Sequence, residues 1–281
     1  MTIENPSIVY FKDRFIEESE CRISLRDRSF RFGDGIFETM LVVNGRIYDM
    51  PPHLERLKKG LSAFRLGLDI SGLKEICEQV IRRNTLTQGY VRILVSRGVD
   101  EEGVVGYLTR GSVPYCVVQA FARPYPGFKP LNLWLSSYKV SFHTPSKTNN
   151  ALLYTLAMLE ASDNKCDNAL LLDTEGNICE TASGNIFWIK DSVLYTPDTA
   201  LPFVPGTMRD KVIQLWDGEI KEGRFTLDDL KSAEEVFMTN IGTILAPVSA
   251  IGPSGLVLPA GARTKALRRM LDKEIKRAVY I

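Results

Sequence analysis

A chain of 281 residues with 44% hydrophobic content has the material for one large packed domain or two modest ones. Its formal net charge of +1 gives no electrostatic basis for binding nucleic acid or an acidic membrane surface, and no apolar run approaches the ~18 residues of a spanning helix. Five scattered cysteines without a CxxC pair, only two histidines and a start (MTIENPSIVYFK) unlike a secretory signal argue against a disulfide framework and a metal site, and for a reducing cytoplasm.

Along the chain, β-rich runs predict strands over Ile36–Val43, Val91–Val95, Tyr115–Phe121 and Leu131–Leu135. Asn44-Gly45 predicts a tight hairpin, because both residues tolerate positive φ. Leu54, Leu57, Leu61 and Phe64 share a helical face after Pro51-Pro52, and a second helix is predicted over Leu73–Arg83. The Pro- and Gly-rich stretch ARPYPGFKP (Ala122 to Pro130) reads as an inter-domain linker. A helix follows over Asn149–Ala161, with Leu152, Leu153, Leu156 and Leu159 on one face. Strands are predicted at Ala169–Leu172 and Asn185–Ile189 around an acidic turn at Asp173–Gly176. The last helices are expected at Thr207–Leu215 and Thr264–Val279. In the second of these, Leu267, Leu271, Ile275 and Ala278 form the apolar stripe, and Arg268, Arg269, Lys273, Lys276 and Arg277 read as a solvated basic face.

Three features of the second half point to chemistry. Lys147 sits in the irregular FHTPSK, two residues after Pro145 and just before a helix-forming run. A lysine in such a place is ordinarily a surface residue. Glu180 follows the acidic turn in NICETASGNIF, where a strand-end polar residue would also fit. Pro205-Gly206 then opens a helix at Thr207 and Met208, whose first N–H groups favour an anion. An amine for covalent attachment, a carboxylate that keeps a pyridine nitrogen protonated and a phosphate-binding helix start are together what pyridoxal 5'-phosphate requires. Gly33-Asp34-Gly35 invites a nucleotide-binding reading, but no third glycine follows at the dinucleotide-binding spacing.

DRSFRFGDGIFETM (Asp27 to Met40), HLERL (His53 to Leu57), YVRILVSRG (Tyr90 to Gly98), KTNN from Lys147, the set Glu180, Asn185 and Phe187, and TNIGTILAPV (Thr239 to Val248) occur in a specific order. In this the chain resembles the fold-type IV pyridoxal-phosphate enzymes, the class IV aminotransferase family, whose members include branched-chain and D-amino-acid aminotransferases and aminodeoxychorismate lyase. The resemblance implies an α/β (α+β) two-domain fold of the D-amino-acid aminotransferase type. A small N-terminal domain is expected over 1–121, a linker over 122–130 and a larger cofactor-binding domain over 131–281. It also implies a homodimer acting on a small amino substrate.

Residue by residue, the resemblance makes Lys147 the cofactor lysine and the base, and Glu180 the partner of the ring nitrogen. It assigns Arg56, Gly206, Thr207, Met208 (through its backbone), Asn240, Ile241 and Gly242 to the phosphate and its surroundings, with Gly242 also near substrate, and it packs Val204 on the ring. Phe37, Glu38 and Thr39 are expected to face the substrate, joined by Arg92 from a Tyr-x-Arg pattern like that of branched-chain enzymes. Gly184 stands where serine is more usual, and Thr207 and Met208 where isoleucine and threonine are.

Two reactions stay open. Thr39 matches a threonine thought to assist the lyases in releasing pyruvate from aminodeoxychorismate, so FETM leans that way. The loop RGVDEEGVVGYLTRG leans the other way, because Asp100, Glu101, Glu102 and Val105 stand where lyases often carry RGxGxRGY. Arg26, Arg28, Arg31 or Arg92 is then left to meet a substrate carboxylate. The alternative is an aminotransferase of branched-chain or D-amino-acid type using 2-oxoglutarate. A non-catalytic scaffold would need neither Lys147, Glu180 nor Arg56.

Overall fold

The computed structural model describes residues 7–100, 106–109, 111–144, 146–258 and 261–280. The chain divides into two compact units, one of Met1–Tyr125, Pro145–Asn150 and Lys276–Ile281, the other of Pro126–Thr144 and Ala151–Ile275.

The first unit is built on one antiparallel sheet. In chain order its elements are β1 (Ile8–Phe11), β2 (Arg14–Glu17), α1 (Arg28–Phe32), β3 (Gly35–Val43), β4 (Arg46–Ile47), α2 (Met50–Ala63), α3 (Leu73–Arg83), β5 (Gln88–Ser96) and β6 (Tyr115–Ala122). The strand order is β2-β1-β6-β5-β3-β4. Asn44 and Gly45 take φ of 52° and 72° and close the β3–β4 hairpin with Val43 opposite Arg46, the two-residue turn that the sequence predicts. Alternation along β3 sends Ile36, Met40 and Val42 into a core with Leu57 and Leu61 of α2 and Val80 of α3.

The second unit carries β7 (Leu131–Val140), α4 (Leu152–Asp163), β8 (Asn168–Asp173), β9 (Ile178–Thr181), β10 (Asn185–Lys190), β11 (Val193–Pro197), α5 (Thr207–Leu215), β12 (Ile220–Gly223), α6 (Leu227–Leu230), β13 (Glu235–Asn240), β14 (Ile244–Gly252) and β15 (Leu256–Val257). Its sheet runs β12-β11-β10-β13-β14-β7-β8-β9, with β15 beside β14. β7 pairs parallel with both β8 and β14. β8 and β9 are buried on every residue; the centre of β8, Ala169–Leu172, is an apolar run without alternation, whereas β9 carries the buried Glu180 and Thr181. The last helix is α7 (Ala262–Tyr280). No helix among the described residues is long and apolar enough to cross a membrane.

Four expectations are corrected. The helix expected from Asn149 begins at Leu152, because Thr148 bridges to Ile36 and the Asn149 N–H donates to the Gly35 carbonyl at 2.9 Å, which holds this stretch extended. Ala157 and Ala161 are the fully buried residues of α4, with Leu153 and Tyr154 partly buried against the same core, whereas Leu152 and Leu159 are exposed, so only part of the expected leucine face packs inward. In α7, Val279 is buried and Ala278 exposed. Arg268 is only 4% exposed rather than solvated. Its guanidinium donates to Asp272 at 2.9 Å and to the carbonyls of Thr243 (3.1 Å), Leu245 (3.0 Å) and Pro126. A buried guanidinium is tolerable where its donors are satisfied.

Candidate active site

In the first unit, the lysine segment lies along β3. Phe37 N–H donates to the Lys147 carbonyl at 3.0 Å, and Asn149 fixes the next turn with side-chain bonds to Ser29 Oγ (2.7 Å) and the Val95 carbonyl (3.1 Å). Gly35 makes this approach possible: a Cβ there would lie 2.1 Å from the Val95 oxygen and 2.4 Å from Asn149 Nδ2. The FGDG sequence therefore seats KTNN. Lys147 Nζ lies 5.6 Å from the centroid of the Phe37 ring. Pro145 lies outside the described residues.

The two faces of β3 separate the residues expected to meet substrate. Phe37 and Thr39 share the face of Arg92, which stands opposite Thr39 in β5 and donates Nε–H to Thr39 Oγ1 at 3.0 Å. Its guanidinium lies 5.6 Å from the Phe37 ring and 5.4 Å from that of Phe121. Burial lowers the Arg92 pKa, and among the described residues no carboxylate is paired with it. Glu38 departs from expectation: strand alternation turns it to the opposite face, where it is fully buried.

Arg28, a candidate for substrate charge, is committed elsewhere, to Asp34 at 2.9 Å and Asp100 at 2.7 Å. Asp34 also accepts from Arg97 at 2.7 Å. Burial would raise the Asp34 carboxyl, but the bonds from Arg97 and Arg28 hold it below its ordinary value. Asp100 is thus the partner of a buried arginine. Glu101, Glu102 and Val105 of the same loop lie outside the described residues.

Glu38 meets two residues on one face of α2. Arg56 grips it side-on, Nε to Oε1 at 2.7 Å and Nη2 to Oε2 at 2.8 Å, and His53 Nδ1 lies 2.8 Å from Oε2. Burial works to raise the Glu38 pKa, yet the bonds from Arg56 and His53 prevail and bring it down to about 2. A depressed carboxylate stabilises the fold fully above its ordinary value of 4.5 and loses that contribution as pH falls through about 2. Glu38→Gln should therefore flatten the fall in thermal stability between neutral pH and about pH 3. An equally steep fall in the variant would show that other groups govern acid unfolding.

In the second unit, Glu180 is 4% exposed and accepts from the Tyr154 hydroxyl at 2.8 Å. Burial, then the Glu180 charge, push the Tyr154 pKa up, so the phenol stays a donor. Asn185 holds the segment before α5 by both ends of its carboxamide: Nδ2 donates to the Val204 carbonyl at 3.0 Å, and Oδ1 accepts from Gly206 N–H at 3.0 Å. A Cβ on Gly206 would lie 2.4 Å from Asn185 Oδ1, so a larger residue would push the Asn185 carboxamide out of this place. Gly206 also leaves the start of α5, at Thr207 and Met208, without a capping side chain. The Asn240 side chain builds its own turn, donating to the Ser183 carbonyl (2.9 Å) and accepting from Thr243 N–H (2.7 Å), with Ile241 and Gly242 at its tip.

Phe37, Thr39, Arg92 and Lys147 thus gather on one face of the first unit, with Arg56 on the other side of β3. Glu180, Val204, Gly206, Thr207, Met208, Asn240, Ile241 and Gly242 belong to the second. A buried carboxylate backed by a phenol and a glycine-started helix suit a protonated pyridine ring with a phosphate arm. Sequence reasoning missed Tyr154, which nothing distinguishes within a helix, and the partners of Glu38. A signal for the latter was present: a charged residue among Ile36, Met40 and Val42 must find compensation, and His53 and Arg56 lie three apart on one helix.

The sequence model of the family described as amino-transferase class IV matches residues 35–251. A putative branched-chain-amino-acid aminotransferase of Methanocaldococcus jannaschii is 30% identical, covering 86% of this chain and 87% of its own. The aminodeoxychorismate lyase of Bacillus subtilis is 26% identical over 97% of this chain and 96% of its own. Among solved structures, a T.th. branched-chain amino acid aminotransferase with pyridoxamine 5'-phosphate superposes with a TM-score of 0.87 at 25% identity, covering 97% of this chain and 95% of its own. Motif order, fold and the extent of the match agree, and the chain belongs to the class IV amino-transferase family of enzymes.

Proposed function

We propose that this chain is a pyridoxal 5'-phosphate-dependent aminodeoxychorismate lyase, converting 4-amino-4-deoxychorismate to 4-aminobenzoate and pyruvate. In this reading it works as a cytoplasmic homodimer. When bound, the cofactor supplies an electron sink for the carbanion formed at the substrate. Lys147 carries it and, once freed by the incoming amine, its Nζ takes the substrate proton. Glu180 holds a proton on the ring nitrogen, and Tyr154 orients that carboxylate. Arg56, the start of α5 and the Asn240–Gly242 turn bind the phosphate, while Val204 packs on the ring and Phe37 borders the substrate.

The observation that carries the choice of reaction is the bond from Arg92 Nε to Thr39 Oγ1. Because that oxygen accepts from Arg92, the Thr39 hydrogen is directed elsewhere and can serve the departing pyruvate. Thr39→Val should lower lyase turnover roughly 10²–10⁴-fold while cofactor affinity stays unchanged. An unaltered lyase rate in the variant would reduce Thr39 to a packing residue.

The second reading, an aminotransferase using 2-oxoglutarate, is favoured by Arg92 itself, a cation between two aromatic rings without a carboxylate partner among the described residues. Such a site suits an acidic co-substrate. Purified protein supplied with aminodeoxychorismate, with L-leucine and 2-oxoglutarate, and with D-alanine decides between them. Glutamate formation without 4-aminobenzoate would establish the second reading.

A further inference from the structure

We infer that Glu38 is a positioning residue for anion recognition, holding the Arg56 guanidinium in one fixed orientation for the cofactor phosphate. The inference rests on the reading of Arg56 as a phosphate ligand given above.

The placement of Glu38 is costly and calls for a use. It is fully buried on the inward face of β3, among Ile36, Met40 and Val42, where an apolar residue would satisfy packing. Replacing a buried ion pair with well-packed apolar residues is often neutral or stabilising. Stability alone therefore does not account for this carboxylate.

Its geometry does suggest a role. A side-on grip through Nε and Nη2 fixes the plane of the guanidinium and its rotation about the last side-chain bonds. The opposite edge of the guanidinium is then set in direction before any anion arrives. His53 Nδ1, at 2.8 Å from Oε2, keeps the carboxylate itself from swivelling. An arginine held in this way has little rotamer freedom left to lose on binding, which strengthens the complex.

A competing effect has the opposite sign. A carboxylate on the far edge of an arginine reduces its positive potential, so removing the charge would tighten phosphate binding if potential outweighed orientation. Full burial and the double grip favour orientation.

The test uses the full chain, with cofactor removed by dialysis and added back, in wild type, Glu38→Gln, Arg56→Ala and the double variant. Affinity is measured for pyridoxal 5'-phosphate and for pyridoxal, which has the same ring and aldehyde without the phosphate. Arg56→Ala should weaken the first and spare the second. Glu38→Gln should do likewise, by about tenfold or more for the phosphorylated form, and should add nothing to the loss in the Arg56→Ala background. If Glu38→Gln does not fold, Glu38→Asp takes its place, with a smaller loss again confined to the phosphorylated form. Unchanged or tighter binding in the Glu38 variant, an equal loss for both ligands, or a loss that persists without Arg56 would overturn the inference alone. Unchanged affinity in Arg56→Ala would remove the reading of Arg56 and the inference with it.

Discussion

Lys147→Ala is expected to lower turnover by roughly 10⁴–10⁶-fold, the scale seen when a central catalytic side chain is deleted. Two roles would be lost together, covalent attachment of the cofactor and removal of the substrate proton. The fold should survive, because the bond from Phe37 N–H uses the backbone carbonyl of residue 147 and the Asn149 contacts involve another side chain. Near-normal thermal unfolding with loss of activity is therefore the expected pair of results. Borohydride treatment of the wild-type protein, followed by peptide mapping, should place the pyridoxyl group on Lys147. A label on any other lysine would remove the basis of the proposed mechanism.

The next largest effect is expected at Glu180. Glu180→Gln keeps the size of the side chain and its bond with Tyr154 while removing the negative charge. Turnover should fall on the order of 10²-fold or more, the cost of deleting one preorganised electrostatic partner. Cofactor should remain bound, since the phosphate contacts lie elsewhere in this reading. Tyr154→Phe should cost less, about tenfold, because it removes one bond to the carboxylate but not its charge. If Glu180→Gln retains wild-type turnover, the ring nitrogen has another partner.

What was legible in the sequence was what local chemistry fixes. The observed α3 and α5 have the predicted bounds, Leu73–Arg83 and Thr207–Leu215, because periodicity and flanking residues set both. The β3–β4 turn was readable from Asn44-Gly45 for the same reason. The start of α4 was not, because the residues that hold Thr148 and Asn149 extended are Ile36 and Gly35, more than a hundred positions away. Arg268 was misjudged because charge pattern alone cannot show that backbone carbonyls of Pro126, Thr243 and Leu245 would replace water around it. For the candidate site, motif order singled out Lys147, Glu180, Arg56 and Thr39. It did not show which residues orient them: Glu38, expected instead to face the substrate, and His53 for Arg56, Arg92 for Thr39, and Tyr154 for Glu180.

The stretch that seats Lys147 also bears on how the gene could be divided. β4 covers β3 only at Val42 and Val43, and further back on β3 it is residues 147–149 that pair with Gly35, Ile36 and Phe37. A fragment ending in the Ala122–Pro130 stretch would lack that arm and expose unpaired backbone groups at the start of β3, the kind of open edge that recruits strands from other molecules. Split versions cut there should be insoluble alone and recover only by complementation. A circular permutant keeps that edge protected only if residues 146–150 remain internal to the rearranged chain.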